Sequence, residues 1–208
     1  MGTALGMMKS VPMNDAQLRI AAKQALFVQH MGDAETVIFE ELGVQHGFSR
    51  IDLALVNGEL HGFELKSDKD TLARLPEQAK SYGRVFDRLT LVVGERHLRG
   101  AVDIVPDWWG IRVARGASGT LQFCDLKHAM RNPSPDPASI VALLWREEAL
   151  TFLYELGVAP GLLSKHRPEL YSMLVEKADL DLLRRRVRKC LRERVNWRSA
   201  ATRLSCGG

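Results

Sequence analysis

Apolar and polar positions trade places through Arg50-Ile51-Asp52-Leu53-Ala54-Leu55-Val56, and β-like character returns in Glu59-Leu60-His61-Gly62-Phe63-Glu64-Leu65-Lys66 after Asn57-Gly58. This predicts two strands, 50–56 and 59–66, around a tight turn. Upstream, Asn14 followed by Gln17 resembles a capping box, and the pattern to Gln29 reads as helix. A second helix is expected over Ala34 to Leu42, ending at Gly43. Downstream, Thr71 to Phe86 reads as helix, with Pro76 near its start, and Leu89 to Val93 as a short strand. Residues 111–113 and 121–123 read as a hairpin around Gly116 and Gly119. Asn132-Pro133-Ser134-Pro135-Asp136-Pro137 reads as a linker, and the apolar spacing beyond it as helices to about Val195. The expected organisation is a disordered leader (1–13), an α/β core (14–131), a linker (132–137) and an all-helical C-terminal region (138–208).

Each strand of the first hairpin carries an acid, which strand propensity disfavours. Lys66 stands two residues after Glu64, so both side chains leave one face of the strand. Two carboxylates and a lysine at one sheet edge suit phosphodiester hydrolysis with a hard divalent cation. Mg²⁺ takes oxygen ligands and keeps positions for water and phosphate. Asp52, Glu64 and the Leu65 carbonyl could supply such ligands, and Lys66 could lower the pKa of the attacking water or balance developing charge.

Register decides whether the acids can meet. A two-residue turn pairs Val56 with Glu59, sets Asp52 opposite Phe63 and sends Glu64 to the other face. The metal-site reading therefore predicts a three-residue loop or a bulge that restores parity. The competing reading takes Asp52 and Glu64 as exposed members of amphipathic strands.

Charge adds a second feature. The net charge is +4, yet residues 160–208 hold 12 Lys and Arg against 5 Asp and Glu, so the rest of the chain is slightly acidic. Between Leu180 and Trp197 an apolar stripe (Leu180, Leu183, Val187, Leu191, Val195) is flanked by Arg184, Arg185, Arg186, Arg188, Lys189 and Arg192. Arg184, Arg185, Arg188, Lys189 and Arg192 are candidates for nucleic-acid phosphates; a solvated helix face is the alternative. Trp108-Trp109 could stack on bases or pack in the core. The six histidines show no zinc-ligand spacing with Cys124, Cys190 and Cys206, and His61 is expected to face away from Glu64. No apolar run approaches the roughly 20 residues of a membrane span. The first residues lack signal-peptide character, and three widely spaced cysteines argue for reduced thiols, so a cytoplasmic location is expected.

These residues carry a resemblance. The chain resembles the PD-(D/E)XK phosphodiesterase superfamily, which includes many restriction endonucleases, resolvases and repair nucleases. Within it, Glu40-Glu41-Leu42-Gly43, the Arg50–Gly58 run and Gly62-Phe63-Glu64-Leu65-Lys66-Ser67-Asp68 are similar to a small bacterial and prophage family. The similarity continues through Asp70-Thr71-Leu72, Gln78, Tyr82, Trp108-Trp109-Gly110 and Leu144-Trp145-Arg146 into the basic C-terminus. The resemblance implies a restriction-endonuclease-like core, a mixed sheet flanked by helices, with a helical appendage. It implies Asp52 and Glu64 as metal carboxylates and Lys66 as the catalytic lysine. Glu41, with Glu40 as alternate, would complete the site from a preceding helix, and Gln78 and Tyr82 would approach it from the following one. Ile51 departs from the proline that names the motif. The implied activity is Mg²⁺-dependent cleavage of nucleic acid by an endonuclease, with Mn²⁺ as a substitute and DNA as the expected substrate. The alternative is a catalytically inactive module of the same fold that binds nucleic acid or a protein partner. Cutting both strands often needs two active sites, which makes a homodimer one arrangement to look for.

Overall fold

The computed structural model describes residues 12–116, 121–158 and 161–205. Gly119 of the expected hairpin, Cys206 and residues 1–11 of the expected leader lie outside the described residues. Met13 does not belong to a loose leader. It is buried, and its N–H donates to the Asp68 carboxylate at 3.2 Å.

Helix α1 (Asp15–Gln29) starts at the expected capping box, with the Gln17 N–H donating to the Asn14 side chain and the Gln17 side chain returning to the Asn14 backbone. Six strands follow: β1 (Val37–Val44), β2 (Ser49–Val56), β3 (Leu60–Lys66), β4 (Arg88–Gly94), β5 (Gly110–Arg115) and β6 (Gln122–Lys127). They form one sheet in sequence order, with parallel β3–β4 and β4–β5 pairs and antiparallel pairs elsewhere. The parallel crossovers carry α2 (Leu75–Gly83) and α3 (Leu98–Val102). The C-terminal helices are α4 (Pro137–Val141), α5 (Arg146–Glu155), α6 (Arg167–Lys177) and α7 (Leu180–Ser205). The chain is thus an α/β protein with a mixed sheet flanked by helices. Among the described residues, no helix is long and apolar enough to cross a membrane.

The expected helix over 34–42 is instead strand β1. Val37, Ile38 and Phe39 favour extended backbone, and pairing with β2 overrides the local helical reading of Glu40-Glu41-Leu42. Glu41 consequently stands on an edge strand rather than on a helix.

The two sheet faces bury separate apolar sets. On one, Leu18, Ala22 and Leu26 of α1 cover Leu53, Leu55, Phe63 and Leu65. Each buried leucine contributes on the order of 2 kcal/mol, enough to hold a single helix. On the other, Ala54, Val56, Leu60 and Leu89 meet Tyr82 and Phe86, and the same cluster runs on into Ile140, Leu153, Leu174 and Leu183. Gly62 lies on this face because a side chain there would overlap Ile51 and Leu89. The C-terminal helices therefore share their core with the sheet. The 132–137 stretch is no free spacer: the Asn132 side-chain amide donates to the Gly83 and Phe86 carbonyls at 2.6 and 2.8 Å, and the Asp136 N–H donates to Arg84.

Candidate active site

The β2–β3 connection is the three-residue loop 57–59, so Val56 pairs with Leu60 and Leu53 with Phe63. The ladder stops there. Asp52 and Glu64 are the next residue on each strand, the parity that the metal-site reading requires. Instead of continuing the ladder, the Leu65 N–H donates to the Asp52 carboxylate at 2.8 Å.

Asp52 also marks a break with β1. The β1–β2 pairs run from Val37↔Val56 to Val44↔Ser49 but skip Glu41 opposite Asp52. Glu41 has φ +50°, which L side chains adopt at a cost of order 1 kcal/mol or more. The alternation of β2 shifts at this point. Regular alternation would put Ile51 on one face with Leu53 and Leu55, but it belongs to the α2-side core while they belong to the α1-side core. Asp52 thus sits at a fork where β2 parts from β3 and its pairing with β1 skips one residue.

Glu64 and Lys66 project together from the end of β3. The Lys66 ammonium donates to Glu64 Oε1 at 2.7 Å and to Gln78 Oε1 at 3.0 Å. Gln78 and Tyr82 lie one turn apart on α2, as expected, and the Gln78 amide donates to the Tyr82 hydroxyl at 3.4 Å. That hydroxyl donates to the Arg50 carbonyl at 2.5 Å, tying α2 to β2 just before Asp52. Beyond Lys66, the Asp70 carboxylate accepts from both the N–H and the hydroxyl of Ser67 at 2.7 and 2.6 Å, fixing the strand end.

Glu64 is 1% exposed, and its Oε2 has no hydrogen-bond partner, because the neighbouring Tyr82 hydroxyl gives its proton to the Arg50 carbonyl. Burial, and then the nearby Asp52 charge, pushes its carboxyl up to about 7. Burial also raises Asp52, against the opposing pull of the Leu65 N–H and Arg19. Burial and the Glu64 charge push the Tyr82 phenol upward, keeping it a proton donor.

Arg19 of α1 is a participant that the sequence reading missed. Its guanidinium donates to Asp52 Oδ1 at 2.8 Å and to Glu41 Oε1 at 3.2 Å, and Asp15 lies at 3.7 Å. Arg50 reaches the other Glu41 oxygen at 3.3 Å, and Lys23 pairs with Glu40. Glu41 is therefore beside Asp52, but its carboxylate is engaged by two arginines. Among the described residues, no group of three or more His, Cys, Asp or Glu side chains comes together in a way that could hold a metal ion. The only local signal for Arg19 was its place four residues after Asp15; its contact with Asp52 spans 33 residues.

The other expected residues resolve differently. His61 faces the opposite way from Glu64, shares a hydrogen bond with the Thr90 hydroxyl at 2.8 Å and is pushed down to about 4 by burial. Trp109 is fully buried, which makes it a core residue rather than a stacking platform. On α7, Arg184 is buried and pairs with Asp87 at 2.8 Å, Arg188 reaches the same carboxylate at 3.3 Å, and Arg192 donates to the Asn57 carbonyl at 2.9 Å. Those three arginines are engaged in holding α7 to the sheet. Arg185 and Lys189 remain exposed, Lys189 lying 3.8 Å from Glu193.

The chain is similar to protein cII of Enterobacteria phage P4, with 36% identity over 80 residues. That match covers 38% of this chain and 30% of the phage protein, so the chain matches less than a third of its relative's length. No solved structure matches. The family model of bacteriophage P4 protein cII matches residues 13–203, which takes in the sheet, the Asp52–Glu64 fork and the C-terminal helices. A phage-related protein was expected, and the chain belongs to the bacteriophage P4 protein cII family.

Proposed function

We propose that this protein is a metal-dependent phosphodiesterase of the PD-(D/E)XK type, a nuclease and most simply an endonuclease acting on DNA. Its restriction-endonuclease-like core would comprise the sheet with α1–α3. The observation that carries the reading is the buried, unpartnered Oε2 of Glu64 beside Asp52 and Lys66. A buried carboxylate needs full compensation, and one ammonium at its other oxygen leaves it incomplete. An acid whose charge is disfavoured by burial and by a second acid gains most from a nearby cation.

The donor set fits Mg²⁺, with Mn²⁺ as a substitute. Asp52 and Glu64 would hold the ion, and the Leu65 carbonyl would join them, since the N–H and C=O of one strand residue point the same way and the Leu65 N–H is aimed at Asp52. When bound, such an ion lowers the pKa of a water and offsets charge on the phosphate. Lys66 would orient that water and stabilise the charge that grows on the phosphate oxygens. Gln78 accepts a second hydrogen bond from the ammonium of Lys66, and Tyr82 holds Gln78 against β2. Arg19 would hold Glu41 away from the ion and keep α1 docked at the fork.

Arg19 also favours a second reading. A guanidinium at 2.8 Å already compensates Asp52, as expected of a nuclease-fold module that binds nucleic acid or a protein without cutting. A cleavage panel separates the two. Single-stranded, duplex and branched DNA are incubated with Mg²⁺ or with EDTA. The nuclease reading expects Mg²⁺-dependent products from wild type and a fall of at least about 100-fold in folded Lys66→Ala and Glu64→Ala proteins. Equal yields from wild type and both variants would remove it.

A further inference from the structure

A cleft of about 390 Å³ opens between the β1–β2 hairpin and the C-terminal helices, next to the candidate site. Gly43 and Gly47 form one side, Leu144 and Trp145 the other, and Glu41 of the fork stands in its wall. The hairpin tip turns through two left-handed residues, Gln45 at φ +50° and Gly47 at φ +87°, and then presents Phe48. Phe48 is 88% exposed, the most exposed large apolar side chain among the described residues. Phe48 stands beside the cleft without lining it, whereas Trp145 lines it, is 43% exposed and carries the Arg194 guanidinium stacked 4.2 Å over its ring.

The charges around this cleft suit a polyanion. Arg167 lines it and is exposed, and Arg50 projects nearby with 64% of its side chain in solvent. The acids at the mouth are each paired, Glu41 with Arg19 and Arg50, and Glu40 with Lys23. Phe48 precedes Asp52 by four residues, about 13 Å of extended backbone.

Resting on the nuclease reading, we infer that this cleft receives unpaired nucleotides next to the scissile phosphate. Phe48 and Trp145 stack on their bases, while Arg167 meets their phosphates. Stacking on isolated aromatic faces needs bases that are out of a duplex. The substrate class is therefore DNA with a single-stranded or branched segment at the cut, in preference to blunt duplex.

The test measures binding by fluorescence anisotropy in Ca²⁺, with a labelled single-stranded 20-mer and a blunt duplex as probes, alongside cleavage of both in Mg²⁺. Phe48→Ala weakens single-strand binding about tenfold, leaves duplex binding unchanged, and Phe48→Trp restores it. Phe48→Ala removes no packing, so its fold is safe; Trp145→Ala is paired with Trp145→Phe, which keeps a stacking face. A wild type that cleaves, with both alanine variants binding single strands as tightly, overturns the cleft and leaves the nuclease standing. A wild type that neither binds nor cleaves either probe overturns both.

Discussion

The two ends of the β2–β3 hairpin are both dense in charge, and they are built on different terms. At the loop end, Asp87 is buried with every oxygen used: it accepts the Leu60 N–H at 2.8 Å and pairs with Arg184 and Arg188. Arg192 meanwhile caps the Asn57 carbonyl. At the open end, Glu64 is just as buried, yet one of its oxygens has no partner. Asp52 takes the place of a ladder bond, opposite a strained Glu41. The loop end is an ion-pair network that clamps α7 to the sheet, with the Asp87 carboxylate between two arginines, although the buried Arg184 Nε makes no aligned hydrogen bond. The open end is held at a cost, and the four basic residues nearest to it on α1, β2 and β3 do not complete it. The number of charges does not separate structure from site: at the loop end one buried acid meets two arginines, whereas at the open end two acids lie together and one oxygen of the more buried has no partner.

The contrast can be broken from the loop end first, where the largest effect on folding lies. Asp87→Ala leaves the buried Arg184 without its counter-charge and should destabilise the protein by about 3–5 kcal/mol in urea denaturation. A loss below about 1 kcal/mol would mean that the clamp is solvated and that the two ends are alike.

A smaller effect sharpens it from the open end. Glu64 titrates at about 7 in the fold against 4.5 when unfolded. Between these values the folded state keeps a proton that the unfolded chain releases. Its contribution is therefore greatest below pH 4.5 and is lost as pH rises to 7. Glu64→Gln removes this dependence. Without divalent ions, the variant should gain on the order of 2–3 kcal/mol relative to wild type between pH 4.5 and 8. Parallel stability curves for the two proteins over that range would show that Glu64 is satisfied after all.

The same contrast governs what the sequence could reveal. The α1 capping box, the β2–β3 hairpin and the Glu64-x-Lys66 face are local patterns, and each reads directly from neighbouring residues. The three-residue loop followed from requiring Asp52 and Glu64 to meet. β1 was hidden because its extended form depends on pairing with β2, against the helical look of Glu40-Glu41-Leu42. Arg19 was hidden because its partners lie 22 and 33 residues away. The basic face of α7 looked like a phosphate surface because its carboxylates, Asp87, Glu155 and Glu148, belong to other elements.

On the nuclease reading, a divalent cation completes Glu64 and Asp52. Titration calorimetry with Mn²⁺ on wild type, Glu64→Ala and Asp52→Ala tests it most directly. The account predicts a saturable isotherm for wild type that disappears in both variants while their folds persist. No binding by wild type, or an isotherm unchanged in Glu64→Ala, would contradict it.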